Sequence, residues 1–296
     1  MLLIGNIAAN ACDVCGASSG NQGLGILPQF YRNFAGLQYQ QRSFSSLHSQ
    51  HETNLPQQAS AEYYHTIQAW GRYGLSNRVQ LFAFVPYHIN TQQVAGVTTT
   101  TAGIGDISVL GMVKLVNTQN KKATHLLFAG AGIKAPTGQY TGITTRDRDG
   151  LPNMQPGTGS WDVLANANYT CSFSNNMGFN AEAAYTFTTP NSDDYKYGNR
   201  LSTALTGFYR RQAASITLMP AAGLKYEYTL HDYDNYTRKW LNDQTGGSML
   251  YGTLALQAYH KRTGLQLGMD LPLAQNYAGG NVTVKYRATA GLLFMF

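Results

Sequence analysis

Segment after segment of this chain alternates apolar and polar residues with a period of two, and holds that period beyond the roughly five or six residues of an ordinary strand. From position 282 onward, Val282, Val284, Tyr286, Ala288, Ala290, Leu292, Phe294 and Phe296 share one parity, against Thr283, Lys285, Arg287 and Thr289 on the other. Val79, Leu81, Ala83, Val85, Tyr87 and Ile89 alternate with Arg78, Gln80 and His88, and Trp161, Val163, Ala165, Ala167 and Tyr169 alternate with Asp162, Asn166 and Asn168. A helix cannot produce this pattern, and no run approaches the roughly 18 to 20 apolar residues of a membrane helix.

The alternation predicts twelve strands, near 30–44, 60–74, 77–91, 104–117, 122–136, 160–172, 176–188, 199–211, 214–229, 248–260, 263–273 and 282–296. Their connections are long around 45–59, 92–103, 137–159, 189–198, 230–247 and 274–281, and tight in between. In an antiparallel meander successive connections fall on opposite rims, so every long loop lies on one rim and both termini on the other. An even strand count with that asymmetry is the layout of an all-β, transmembrane, antiparallel up-and-down barrel of the bacterial outer membrane. Closure also removes the unpaired edge groups that hydrocarbon would penalise.

In that setting the apolar parity meets lipid and the polar parity lines the lumen. Only 12% of the residues are charged, half the usual share, because the lipid face has almost no room for charge. The polar parities carry Glu62, Arg72, Arg78, Asp106, Lys114, Lys134, Asp162, Glu182, Arg200, Arg210, Lys225, Glu227, Asp270, Lys285 and Arg287, the candidate lumen-lining residues. They could form a wall-stiffening network of acids and bases or a selective polar path. The outward histidines, His65 and His125, are expected near a rim. Pro86, Pro136, Pro220 and Pro272, which lack a donor, are expected at bulges or kinks.

The net charge of +6 comes from scattered Lys and Arg rather than a basic stripe, so no nucleic-acid partner is expected. Residues 1–11 end in the small-x-small pattern Ala9-Asn10-Ala11 and read as a signal-peptide remnant, which leaves 12–29 as a periplasmic tail and 30–296 as the barrel. Acylation at Cys12 is the alternative. Cys12 and Cys15 have the spacing of a disulfide or half a metal site. An oxidising compartment favours the disulfide, with a soft metal as the alternative and no other cofactor expected.

Three motifs carry a family resemblance: Gly103-Ile104-Gly105-Asp106, Lys134-Ala135-Pro136-Thr137-Gly138, and Gln155-Pro156-Gly157-Thr158-Gly159-Ser160-Trp161-Asp162. The chain resembles the outer-membrane proteins named for the meta-pathway of phenol degradation, most clearly over 100–190. The resemblance implies uptake of a small hydrophobic or aromatic solute, with distant similarity to fatty-acid channels. Terminal Phe296 also resembles the closing aromatic recognised by the barrel-assembly machinery, a partner during biogenesis.

The Gly and Pro residues of the last two motifs shape both ends of the third long loop. They leave Gln139 to Met154 to fold over or into the mouth. Gly130-Ala131-Gly132-Ile133-Lys134-Ala135 matches a dinucleotide fingerprint literally, but it lies inside one strand with no helix after it, so its glycines are assigned to close wall packing. No Ser, His and Asp spacing assembles a catalytic constellation, and the chain is read as a non-enzyme. The expected role is passage of a small solute. The alternative is a non-transporting barrel that scaffolds a larger outer-membrane protein complex.

Overall fold

The computed structural model describes residues 24–26, 32–48, 58–141, 152–173, 176–234, 238–242 and 244–296. Twelve strands form the wall: β1 Phe34–His48, β2 Gln58–Gly74, β3 Val79–Val94, β4 Ser108–Gln119, β5 Ala123–Lys134, β6 Asp162–Phe173, β7 Met177–Thr188, β8 Arg200–Tyr209, β9 Ile216–Thr229, β10 Gly247–His260, β11 Thr263–Tyr277 and β12 Val282–Met295. Each pairs antiparallel with its sequence neighbours, and β1 pairs with β12, so the sheet closes on itself. The seam runs from Phe34 opposite Met295 to Ser46 opposite Val282.

The alternation is the inside-out one that a bilayer requires. Leu37, Ile67, Val85, Val109, Val163, Leu205, Leu254, Leu267 and Leu292 are exposed on the outer surface, while Glu62, Asp162, Asn168 and Arg287 are buried inside. Polar groups that do face outward are satisfied locally. His65 Nδ1 meets the Tyr39 hydroxyl at 2.7 Å, and His125 Nδ1 meets that of Tyr169 at 2.8 Å.

Pro86 marks a change of partner. Before it, β3 pairs with β4, Phe84 lying opposite Ser108; beyond it, β3 pairs with an extra strand, Val97–Ile104, that returns from the β3 hairpin. The break between those partners is where Asp106 turns inward. Pro272 likewise lies at a register shift between β10 and β11. The connection expected over 274–281 is shorter than its sequence suggested, because β11 runs on to Tyr277 and a single turn at Ala278–Gly280 leads into β12.

Gly130 and Gly132 let β5 lie against β4. A Cβ on Gly130 would collide with the Gly111 carbonyl and sit 2.8 Å from the Met112 Cα, and one on Gly132 would sit 2.8 Å from the Leu110 Cα. Backbone on a neighbouring strand cannot move aside, so Gly130→Val should abolish or severely slow barrel formation. Heat-modifiable gel mobility of the purified variant in detergent checks this: little or no compact band is expected.

Candidate functional site

Among the sequence-predicted lumen residues, Glu62, Arg72, Asp106, Lys134, Asp162, Glu182 and Arg287 are buried inside the barrel. Lys225, Glu227 and Asp270 join Arg287 in one ion-pair group. Lys114 reaches inward to the face of Phe128, 5.8 Å from its ring centre. Arg200 begins β8, opposite Thr229 of β9.

Three assignments are corrected. Arg78 is exposed in the tight turn before β3, which starts at Val79, and Arg210 is exposed where β8 has already ended. Lys285 is exposed on the outside. Ser43 pairs with Tyr286 and the next residue, Phe44, pairs with Val284, so Lys285 is the extra residue of a bulge. That bulge reverses the parity of β12, and Val282 and Val284, expected to face lipid, are buried inside. Cys12 and Cys15 lie outside the described residues. Phe296 follows β12 with its side chain exposed, its ring 6.4 Å from that of Phe294.

The three sequence motifs converge on one buried cluster. Lys134, the last residue of β5, bonds Asp106 Oδ2 at 3.0 Å and Asp162 Oδ2 at 2.7 Å. Asp106 also accepts from the backbone N–H groups of Gly138 (3.0 Å) and Thr158 (2.9 Å) and from the Thr158 hydroxyl (2.7 Å). Ser160 donates to Asp162 at 3.0 Å. One carboxylate therefore holds both ends of the β5–β6 connection. Gly138 and Gly157 pass so closely that a Cβ on either would come within 2.8 Å of the other's backbone. Further out, the Tyr140 hydroxyl donates to Asp193 at 2.8 Å and accepts from Asn191 at 2.9 Å. Burial, followed by that hydrogen bond to the carboxylate, pushes the Tyr140 phenol well above its ordinary range.

The pinned connection enters the mouth. Met154 is buried among Phe44, Tyr64, Tyr251 and Val284, and its carbonyl accepts from Asn90 Nδ2 at 3.2 Å and from the Thr101 hydroxyl. Residues 142–151, the middle of the segment expected to cover the mouth, lie outside the described residues.

A second obstruction comes from the segment before β1. Residues 24–26, expected to belong to a tail hanging below the barrel, lie inside it. Leu24 and Gly25 donate their backbone N–H groups to the two oxygens of Glu182, at 2.6 and 2.9 Å. Asn168 donates to the Gly25 carbonyl at 3.0 Å, and Gln257 on β10 donates to the Ile26 carbonyl at 3.2 Å. Below them, towards the short-turn rim, Phe34, Phe82, Leu110, Met112, Leu293 and Met295 make an apolar layer that packs with Leu24 and Ile26. Beside them is a cavity of about 160 Å³, where Gln38, Gln68, Gln257 and Gln266 present amides and Trp70 and Phe84 present rings 6.1 Å apart and nearly parallel.

Sequence alone missed this insertion, because three residues carry no period, and it missed Arg42. The run Gln40-Gln41-Arg42-Ser43 is polar on both parities, so alternation could not assign its faces.

Comparison with known proteins agrees with this architecture. The sequence profile of the family described as "Putative MetA-pathway of phenol degradation" matches residues 47–218, more than half of the chain. The chain belongs to that family. Its fold is similar to that of the COG4313 outer membrane channel from Pseudomonas putida F1, with a TM-score of 0.65, 17% identity, and 94% of this chain and 99% of that one covered. The beta domain of the Bordetella autotransporter BrkA is also similar, with a TM-score of 0.51, 10% identity, and 89% and 99% covered. No curated protein matches the sequence. The protein is thus an outer-membrane β-barrel of the phenol-degradation family.

The family motifs make the Lys134 cluster a target for mutation. Removing one partner from a buried ionic group leaves the rest uncompensated, at about 3 to 5 kcal/mol. Lys134→Met should lower stability by about that much and expose the β5–β6 connection to protease. The triple variant that also carries Asp106→Asn and Asp162→Asn should recover a large part of the loss. Denaturant titration in detergent measures both.

Proposed function

We propose that this barrel passes a small solute across the outer membrane through its lumen, and that the segment at 24–26 is the removable part of the barrier. The observation that carries this reading is the composition of the block. On the long-loop side of the apolar layer, the lumen is interrupted at 24–26 by a piece of chain that is not part of the wall. The described hydrogen bonds to it come from Glu182, Asn168 and Gln257. A barrier held through backbone groups of a pre-barrel segment can withdraw without breaking the wall.

The neighbouring cavity favours a small organic solute with an apolar part. Trp70 and Phe84 offer ring faces beside Leu24 and Ile26, and a space on the order of 150 Å³ is known to hold a benzene-sized guest. The family's phenol-degradation description fits a hydrophobic or aromatic solute. The termini are assigned to the periplasmic side because the tight turns share their rim. Surface proteolysis of intact cells should then cut within 140–153 and spare 117–121, and the reverse pattern would invert the orientation.

The scaffold reading keeps one specific support, the apolar layer that fills the short-turn end. Conductance separates the two. In planar bilayers Glu182→Ala, which removes both acceptors for Leu24 and Gly25, should open more often than the parent protein. A barrel that stays electrically silent in both forms would point to the scaffold.

A further inference from the structure

Exposed charge is distributed unequally between the two rims of the barrel. At the short-turn end, the β2–β3 turn carries Arg78, the β4–β5 turn carries Lys121 and Lys122, and the segment entering β1 carries Arg32. The β8–β9 turn adds Arg210 and Arg211, and the β10–β11 turn adds Lys261 and Arg262. All of these side chains are exposed, and among the described residues none of them is in an ion pair. The chain has 15 Asp and Glu residues, and not one lies in any of the tight connections. The opposite rim carries both signs, Asp193, Asp194 and Asp234 together with Lys196 and Lys239.

A set of like charges with no carboxylate among them repels itself, and salt screens that repulsion only beyond about 8 Å at physiological strength. The height of these cations along the wall says what they meet. Exposed apolar side chains stand close by in sequence: Leu75 before Arg78, Leu115 before Lys121, Tyr209 before Arg210, Ile216 after Arg211 and Leu265 after Arg262. Those are the last lipid-facing positions of their strands. The cations therefore stand just past the hydrocarbon boundary, where long Lys and Arg side chains reach the headgroup layer. They also run round the cylinder. One lies at the entry to β1, the others are spread over the tight turns, and only the β6–β7 turn has none in its sequence.

We infer that the short-turn rim is a collar for anionic phospholipids, taking their headgroup phosphates in the leaflet that surrounds this end of the barrel. With the termini on the periplasmic side, that is the inner leaflet. Lipid encircles a barrel, and an encircling set of cations matches it, whereas a protein with an acidic face would meet one side of the cylinder. Attraction of Lys and Arg to an anionic membrane surface accumulates residue by residue within a Debye length, so the collar needs no shaped pocket. The adjacent guanidinium groups of Arg210 and Arg211 can in addition fork onto phosphate oxygens. Bound headgroups supply the counter-charge that the chain itself does not place at this rim. The inference uses the barrel alone and is independent of what passes through the lumen.

Lipid retention tests this. The detergent-purified full chain is mixed with equal amounts of phosphatidylglycerol and phosphatidylcholine of the same acyl composition, recovered by gel filtration at low salt, and its bound lipid counted by mass spectrometry. Phosphatidylglycerol should be enriched roughly fivefold over phosphatidylcholine, the scale of one cation at an anionic surface, and the enrichment should vanish at about 1 M sodium chloride. A variant combining Arg210→Gln, Arg211→Gln, Lys261→Gln and Arg262→Gln should lose roughly half of it. The pair Lys121→Gln and Lys122→Gln, with a smaller loss, takes its place should that variant fail to show a compact, heat-modifiable band. Equal retention of the two lipids by the parent protein overturns the collar, as does an enrichment that survives high salt or is unchanged in the variants. Equal retention together with salt-sensitive cross-linking of the rim to an acidic periplasmic protein would give the cations to that partner instead.

Discussion

Everything in this molecule depends on the pairing of β1 with β12. A twelve-stranded sheet with an apolar outer face and two open edges would place two rows of unpaired N–H and C=O groups in hydrocarbon, each costing several kcal/mol. Thirteen residue pairs along the seam from Phe34–Met295 to Ser46–Val282 remove that penalty and fix which parity faces in. The seam also carries the bulge at Lys285. Without it, Val282 and Val284 would face lipid and the apolar cluster beneath Met154 would lose one side. The same two strands bring Arg42 against Arg287, so closure, lumen shape and lumen charge are set along one line.

Inside, the barrel is layered. The short-turn end is apolar, the middle combines the inserted Leu24–Ile26 with amide side chains and then charge, and the long-loop end is apolar again around Met154. A separate ionic cluster at Lys134 ties the β5–β6 connection to the wall. The two ionic groups differ in kind. At Lys134 two carboxylates and several donors surround one cation, a closed structural arrangement. Around Arg287, that residue and Lys225 share the two carboxylates Glu227 and Asp270, a network spread over three strands of the wall.

Alternation of side chains made the barrel, its strand number and its rim asymmetry legible, because hydrocarbon outside and polar groups inside leave a signal in every strand. It also placed Glu62, Asp106, Lys134, Glu182 and Arg287 on the inner wall. It failed where the signal has another origin. Lys285 was misplaced because a bulge shifts parity without any mark in composition, Arg78 because the alternation extends one residue before β3 begins, and Arg210 because the pairing breaks there for one residue between Tyr209 and Arg211. Arg42 stayed hidden in a run polar on both sides. The insertion of residues 24–26 rests on backbone hydrogen bonds, which side-chain patterns do not encode. The motifs around Asp106, Lys134 and Thr158 were visible as words, but that they meet at a single carboxylate only the fold reveals.

The brevity of the Ala278–Gly280 turn gives the mouth a low sill. Elsewhere on that rim, the return strand Val97–Ile104, the pinned β5–β6 connection and the loops carrying Asn191 and Asp232 add chain above the wall, whereas β11 passes into β12 almost at once. Among the described residues the rim is therefore lowest on the side of the cylinder where Asp270 and Arg287 lie opposite one another. The lowest described part of the rim and the ion-pair group of Arg287 therefore share one sector.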